Sequence, residues 1–256
     1  MTPRVSFLIP CYNAAPWIAA ALDSVFAQTW PNIEVIVVDD GSRDESALIA
    51  ERYVDRGLRL IGQANRGQAA AFNEAWRHAT GDYFVFFDAD DIMAPDKTAV
   101  QMTRLAQLEP GWIASCAWAR FRDDIAEARF LPEPVWRDLA AVDWLVESWM
   151  GGGMMHGAAW LIPRSVADQA GPWDESLSLI NDLDFFPRVL LASRGVAFCP
   201  EARTYYRSGA GASLSGQRSP AACASAFRAM RNSREALLRA EDSPRTRLAC
   251  ATTLQR

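Results

Sequence analysis

Three short runs constrain this chain more than any other feature. Val5–Ile9 (VSFLI), Ile33–Val38 (IEVIVV) and Tyr83–Phe87 (YFVFF) are β-branched or aromatic and almost wholly apolar. A strand that alternates apolar and polar residues can leave one face in water. A strand without that alternation has to be covered on both faces, as in a mostly parallel sheet. The intervening segments supply the covers. Ala14–Gln28 carries Trp17, Ile18, Ala21, Leu22, Val25 and Phe26 at helical spacing, with Asn13 as the expected N-cap. A helical stretch near Glu45–Val54, a strand at Leu58–Ile61 and a helix near Gln68–His78 follow. Strand and helix in alternation imply right-handed βαβ units and a doubly wound half-domain.

The second half is less regular. Trp112–Trp118 reads as a strand, Val142–Met150 as a helix, and Ala158–Ile162 as a strand closed by Pro163. Asp182–Ala192 has helical spacing at Phe185, Phe186, Val189 and Leu190, with Pro187 expected in the first turn, where its missing N–H matters little. Ala221–Arg239 reads as a terminal amphipathic helix studded with arginine. No internal repeat or low-complexity segment is visible.

Composition narrows the function classes. Of 256 residues, 50% are hydrophobic and 22% charged, which excludes global disorder. A net charge of −5 argues against a nucleic-acid partner. Two histidines, His78 and His156, exclude a multi-histidine metal centre, and His156 reads as a packed residue. Five cysteines without a CxxC argue against a disulfide scaffold and for a reducing compartment. No run is long and apolar enough to span a bilayer. A cytoplasmic protein is expected, with peripheral association at the inner face of a membrane as the alternative.

Each apolar run ends in a polar cluster: Pro10-Cys11-Tyr12-Asn13, Asp39-Asp40-Gly41-Ser42 and Asp88-Ala89-Asp90-Asp91. Open α/β sheets bind ligands in the crevice at the carboxyl ends of their strands. Five carboxylates converging there need a cation, sugar hydroxyls or base N–H groups to offset their charge. In an extended segment Asp88 and Asp90 point to one side, so both can face a single hard divalent ion. Turn formation and capping by Asp and Gly account for any one cluster alone.

In series, these residues resemble a family 2 glycosyltransferase of the GT-A fold. The resemblance rests on Val5–Ser46, on Asn65–Asp91 (NRGQAAAFNEAWRHATGDYFVFFDADD), on Ala170–Val189 (AGPWDESLSLINDLDFFPRV), and more weakly on Tyr205–Ser215. It implies an α/β fold with a mostly parallel central sheet flanked by helices and a C-terminal helical segment. It implies one transferase domain over residues 1–218, divided near 110 into a nucleotide-sugar half and an acceptor half, and a helical tail over 219–256. It also implies a nucleoside-diphosphate sugar donor (UDP- or another NDP-sugar), Mn²⁺ or Mg²⁺, a glycan, polysaccharide or lipid-linked acceptor, and inversion at the anomeric carbon.

Carried over residue by residue, the resemblance puts Pro10, Tyr12 and Asn13 beside the nucleobase. It puts Asp39 with Asp40 at the base, Asn65 and Gly67 near base and ribose, and Asp88 at ribose and metal. Asp90 becomes the metal ligand, Asp182 the catalytic base, and Arg207 a phosphate contact. Asp91 reads as structural, and Asp184 is the rival to Asp182. Three positions depart from the family pattern. Phe72 stands where many members have Arg, Asn181 stands where the family has Glu, and Ser208-Gly209 lacks the histidine of the Tyr-Arg-x-His pattern. The residues alone leave two other readings open: a HAD-like phosphatase, whose apolar strand also ends in DxD, and a non-catalytic nucleotide-sugar-binding module.

Overall fold

The computed structural model describes residues 2–209 and 219–253. The three apolar runs form neighbouring parallel strands: β1 (Val5–Cys11), β2 (Ile33–Asp39) and β4 (Tyr83–Phe86). All seven residues of β1 are buried, because it lies between β2 and β4 with α3 packed against it. With β3 (Leu58–Gly62) and the short antiparallel β8 (Ile162–Pro163), the order is β3-β2-β1-β4-β8. A second sheet of order β5-β9-β6 joins β5 (Ile92–Met93), β9 (Gly195–Arg207) and β6 (Trp112–Phe121), and β7 (Leu139–Ala140) pairs with β9. The parallel β6/β9 register shifts between Cys116 and Ala117.

The helices are α1 (Ile18–Phe26), α2 (Ser46–Glu51), α3 (Gln68–His78), α4 (Lys97–Leu105), α5 (Ala141–Glu147), α6 (Arg164–Ala170), α7 (Asp182–Ala192), α8 (Pro220–Ala240) and α9 (Pro244–Thr253). The expected α/β architecture is present. Several local expectations are corrected. Helix α1 is capped at Trp17 without a side-chain bond, and Asn13 sits in the left-handed region at φ 49°. The helix expected over 142–150 ends at Glu147 and continues as a wider turn over Ser148–Gly152. Residues 157–159 form a 3₁₀ turn, Leu161 makes an isolated bridge to Ala114, and Ile162–Pro163 pair as a strand.

Pro187 is the most instructive of these corrections. It is not in the first turn of α7 but inside the helix. There it cannot donate to the carbonyl four residues back, that of Leu183. Ser233 Oγ of α8 lies 2.7 Å from that oxygen and 2.6 Å from Ala229 O, so its one proton is shared between the two carbonyls. Small residues of α8 (Ala222, Ser225, Ala229, Ser233) are buried on this side, and α8 packs against α7. Helix α8 also holds the chain ahead of α7. Ser225 Oγ accepts from Ser178 N and Leu179 N at 2.9 and 3.1 Å, and Arg228 donates to Ser176 O at 2.9 Å.

Beneath the site lies an aromatic cluster. Trp173 stacks on Phe72 and on Phe185, with centroids 4.8 and 4.0 Å apart, and meets Phe86 edge-on. Phe72 therefore belongs to the core, which accounts for an apolar residue at that position of the motif. The buried tryptophans Trp144, Trp149 and Trp160 are likewise core residues. All five cysteines are free. Among the described residues no helix is long and apolar enough to cross a membrane.

Candidate active site

The strand register fixes the donor edge. Cys11 pairs with Asp39 and Leu8 with Phe86, so the loops after β1, β2 and β4 leave the sheet side by side. Backbone bonds stitch them together: Asp40 N donates to Cys11 O at 2.8 Å and Phe87 N to Leu8 O at 3.0 Å. Asn13 reinforces the first seam, with its N donating to Ser42 Oγ (3.0 Å) and its Oδ1 accepting from Arg43 N (2.8 Å). Gly41, at φ 74°, lets the second loop approach the next one. A Cβ there would meet Asn65 N at 3.0 Å.

The two adjacent aspartates of the second loop differ. Asp40 is buried and fully engaged, accepting from Gln63 Nε2 (2.7 Å), Arg66 N (2.8 Å) and Gly67 N (2.8 Å). It braces the loop that carries Asn65 and Gly67 into α3. Asp39 Oδ2 accepts a long bond from Ser42 N (3.3 Å), and its Oδ1 has no partner. Tyr12 is 48% exposed at the rim, Asn65 and Gly67 are exposed, and Pro10 is buried in β1. Of the residues expected at the nucleotide, Tyr12, Asp39, Asn65 and Gly67 line the edge. Pro10, Asn13 and Asp40 brace it.

Beyond β4, Asp88 Oδ1 accepts from Gln68 Nε2 at 2.8 Å. Asp91 is completely buried. Its Oδ1 accepts from Arg207 N (2.9 Å), and its Oδ2 lies 3.0 Å from His156 Nε2 without an aligned hydrogen-bond donor. His156 Nε2 is also 3.9 Å from Asp88, and its ring leans on Tyr206 with centroids 4.4 Å apart. Among the described residues, ligand atoms of Asp88, Asp91 and His156 lie within 4.8 Å of one another, a set without Asp90. Arg207 is occupied elsewhere. Its Nε donates to Asp90 O (2.9 Å), its Nη1 to Arg122 O (2.6 Å), and its guanidinium lies 4.4 Å over Phe121. It clamps the Asp90 loop to the end of β9. The chain that follows, 210–218, lies outside the described residues, as does part of the weaker Tyr205–Ser215 match.

The electrostatics follow from this crowding. Burial, with the Asp91 and Asp90 charges, pushes the Asp88 carboxyl up to about 7. Burial and Asp91 push Asp90 up to about 6. For His156 burial opposes the charged form, but the neighbouring carboxylates, Asp91 first, outweigh it and hold the imidazole above its ordinary value. These groups are costly neighbours without a ligand.

Asp182 opens α7 on the facing side. Its Oδ1 accepts only from Leu183 N (2.9 Å), and the side chain is exposed. Asn181 Nδ2 donates to Gln68 Oε1 at 3.3 Å, so the Asp182 loop touches the residue that binds Asp88. Asp184 is 4% exposed and committed, to Arg188 Nη2 (2.9 Å) and Asn232 Nδ2 (3.0 Å). It has no free oxygen to offer a substrate, whereas Asp182 does.

With this geometry in view, comparison with known proteins is decisive. The sequence profile described as Glycosyl transferase family 2 matches residues 6–168. The chain belongs to glycosyltransferase family 2. An uncharacterized glycosyltransferase of Rickettsia typhi is 31% identical over 198 residues, which is 75% of this chain and 60% of that protein. A second, from Rickettsia prowazekii, is 31% identical over 191 residues, 72% of this chain and 58% of the relative. The family 2 chain thus spans about three fifths of the length of these relatives. Among solved structures, S. aureus TarS (residues 1–349) in complex with UDP-GlcNAc matches with a TM-score of 0.80 at 18% identity, covering 98% of this chain and 71% of that one. The mannosyltransferase PcManGT of Pyrobaculum calidifontis, in complex with GDP-Man and Mn²⁺, matches at 0.64 and 21% identity, covering 100% and 76%. These likenesses show the GT-A fold.

Sequence reasoning missed two residues of the site, His156 and Gln68. His156 lies 65 positions beyond Asp91 in an irregular segment, with no periodic signal to aim it. Gln68 directly follows the Asn-x-Gly stretch, but only the fold shows what its amide reaches.

Proposed function

We propose that this chain transfers a hexosyl group from a nucleoside-diphosphate sugar to an acceptor hydroxyl, with inversion at the anomeric carbon. The observation that carries the reading is the convergence of an unpaired Asp39 oxygen, the Asp88–Asp91 loop and the uncommitted Asp182 at one sheet edge. Asp39 Oδ1 receives a base N–H, Tyr12 flanks the base, and Asn65 and Gly67 border the ribose. Pro10, Asn13 and Asp40 hold these groups in place, and Arg207 acts through the Asp90 loop.

The residues beyond β4 fit a divalent cation. They offer hard oxygens and one imidazole nitrogen within reach of each other, and Asp91 Oδ2 is buried without a donor. Asp88 and Asp90, with Asp91 and His156 behind them, would hold Mn²⁺ or Mg²⁺. Such an ion would neutralise charge on the departing diphosphate. Asp182 takes the acceptor proton as the acceptor oxygen bonds to the anomeric carbon, and the bond from that carbon to the diphosphate oxygen breaks on the opposite face. We assign residues 1–110 to the donor and 111–218 to a glycan or lipid-linked acceptor, with α8 of the 219–256 tail bracing the Asp182 segment.

The test is a panel of UDP- and GDP-hexoses with and without Mn²⁺ and glycan acceptors. Release of nucleoside diphosphate together with an anomerically inverted product is expected. Release of inorganic phosphate would identify a phosphatase, and tight donor binding without turnover a binding module.

A further inference from the structure

We propose that Gln68 is a positioning residue whose side-chain amide couples the donor carboxylate Asp88 to the loop presenting Asp182, and that its polarity dictates Asn at position 181. This rests on the reading of Asp182 as the base.

A primary amide has one donating end and one accepting end, fixed in opposition. When ionised, Asp88 only accepts, so in that state the NH₂ end of Gln68 faces it, and Nε2 lies 2.8 Å from Oδ1. Oε1 is thereby turned toward position 181, which has to donate. Asn181 Nδ2 does so at 3.3 Å. A Glu or Asp at 181 would set acceptor against acceptor. The departure at Asn181 therefore follows from Gln68, and the two residues form one polar unit across 113 positions of sequence.

Both ends of this unit are held independently. Gln68 is the first residue of α3, and Asp40 grips the two preceding backbone N–H groups. The loop is anchored upstream by Asn73, which accepts from Trp173 N (2.9 Å) and donates to Trp173 O (2.9 Å) and Glu175 Oε1 (3.0 Å). Arg66 pairs with Glu175 at 2.6 Å. Between that anchor and α7 lies Ile180 at φ 55°, a conformation that a β-branched residue adopts only under constraint. The loop start is pinned and its exit is strained, so the Gln68 contact at Asn181 sets the aim of the next residue, Asp182. Gln68 is only half-buried at the protein surface, so its removal leaves the core intact.

The test combines two measurements on Gln68→Ala, Asn181→Ala, the double variant, and the isosteric Asn181→Asp. First, amide hydrogen exchange over residues 176–184 should rise in all four, with strand β1 at the parental rate. Second, in sugar transfer each single variant should lose about tenfold in kcat, and the double no more than the worse single, because contacting residues are not additive. For Asn181→Ala the dissociation constant of a nucleoside diphosphate with Mn²⁺ should stay at the parental value, which a general loss of structure would not allow. Parental exchange in Asn181→Asp, or additive losses in the double variant, would overturn the proposal. Raised exchange in the variants of a parent that transfers no sugar would uphold the coupling and sink the transferase reading instead.

Discussion

The loops that follow β1, β2 and β4 and the loop that precedes α7 reach the same sheet edge by different routes. The first three are delivered by strands whose register is set by apolar runs, and each begins within a residue or two of a strand end. The last has no strand to deliver it. It is clasped from one side by α3 through Gln68 and Asn73, and from the other by α8 through Ser225, Arg228 and Ser233. Local sequence delivered the donor loops to the edge, although Arg207 and His156 hold the Asp90–Asp91 turn from far along the chain. Contacts made across 40 to more than 100 positions of chain built the side that carries the base. The difference teaches where each kind of evidence can be trusted: adjacency to a buried strand is enough for the first, and only tertiary contacts are enough for the second.

The comparison breaks most sharply at Asp182. Asp182→Asn keeps the shape and the helix-starting ability of the residue but accepts no proton. Transfer is expected to fall by about 10²–10⁴-fold, with an unchanged melting temperature. Near-parental transfer would return attention to Asp184, despite its two partners.

The next largest effect separates neighbours on the donor side. Asp40→Ala strips three donors of their acceptor and should lower unfolding free energy by about 2–3 kcal/mol in urea titration. Asp39→Ala should leave stability within about 0.5 kcal/mol yet weaken nucleotide binding by about 1–3 kcal/mol in calorimetry. Equal behaviour of the two variants would dissolve the distinction between brace and ligand contact.

The donor edge should also carry the protein's pH dependence. Asp88 and Asp90 titrate near 7 and 6 in the fold, against 3.8 ordinarily. Between these values the native state holds protons that the unfolded chain has lost, so stability falls as pH rises. His156, held above its ordinary 6.5, adds stability that is present below that value and lost as pH rises through its folded value. Both trends have the same sign. Melting temperature should therefore drop from roughly pH 5 to pH 8, and saturating Mn²⁺, which binds the ionised carboxylates, should flatten the slope. An equal slope with and without Mn²⁺ would place the cation elsewhere.

The smallest effect belongs to the base side. Ser233→Ala removes the hydroxyl proton shared by the Leu183 and Ala229 carbonyls, the first already deprived of its helical donor by Pro187, and should cost about 1 kcal/mol of stability. A neutral result would mean that water replaces the hydroxyl.

What could be read from the residues follows this division. The strands β1, β2 and β4, the helices between them and the polar clusters at their ends were legible, because hydrophobic periodicity is a local signal. Asn13 reads as a helix cap in sequence because a capping side chain and a loop-bridging one look alike there. Pro187 reads as a first-turn residue because nothing in the local pattern announces a serine on a helix some 50 residues later. Asp39 and Asp40 are the same amino acid in adjacent positions, and only the course of the 63–67 loop gives them different work.

The sequence by itself determined a doubly wound parallel sheet with carboxylates along one edge. Burial on two faces demands continuous apolar runs, and chain reversal at strand ends demands polar turns. The tertiary structure alone decided that His156 stands against Asp91, that Gln68 joins Asp88 to Asn181, and that Asp182 rather than Asp184 keeps a free oxygen. The physical reason is that hydrogen-bond partnership depends on direction and on distances of about 3 Å, and neither is encoded in the spacing of residues along a chain.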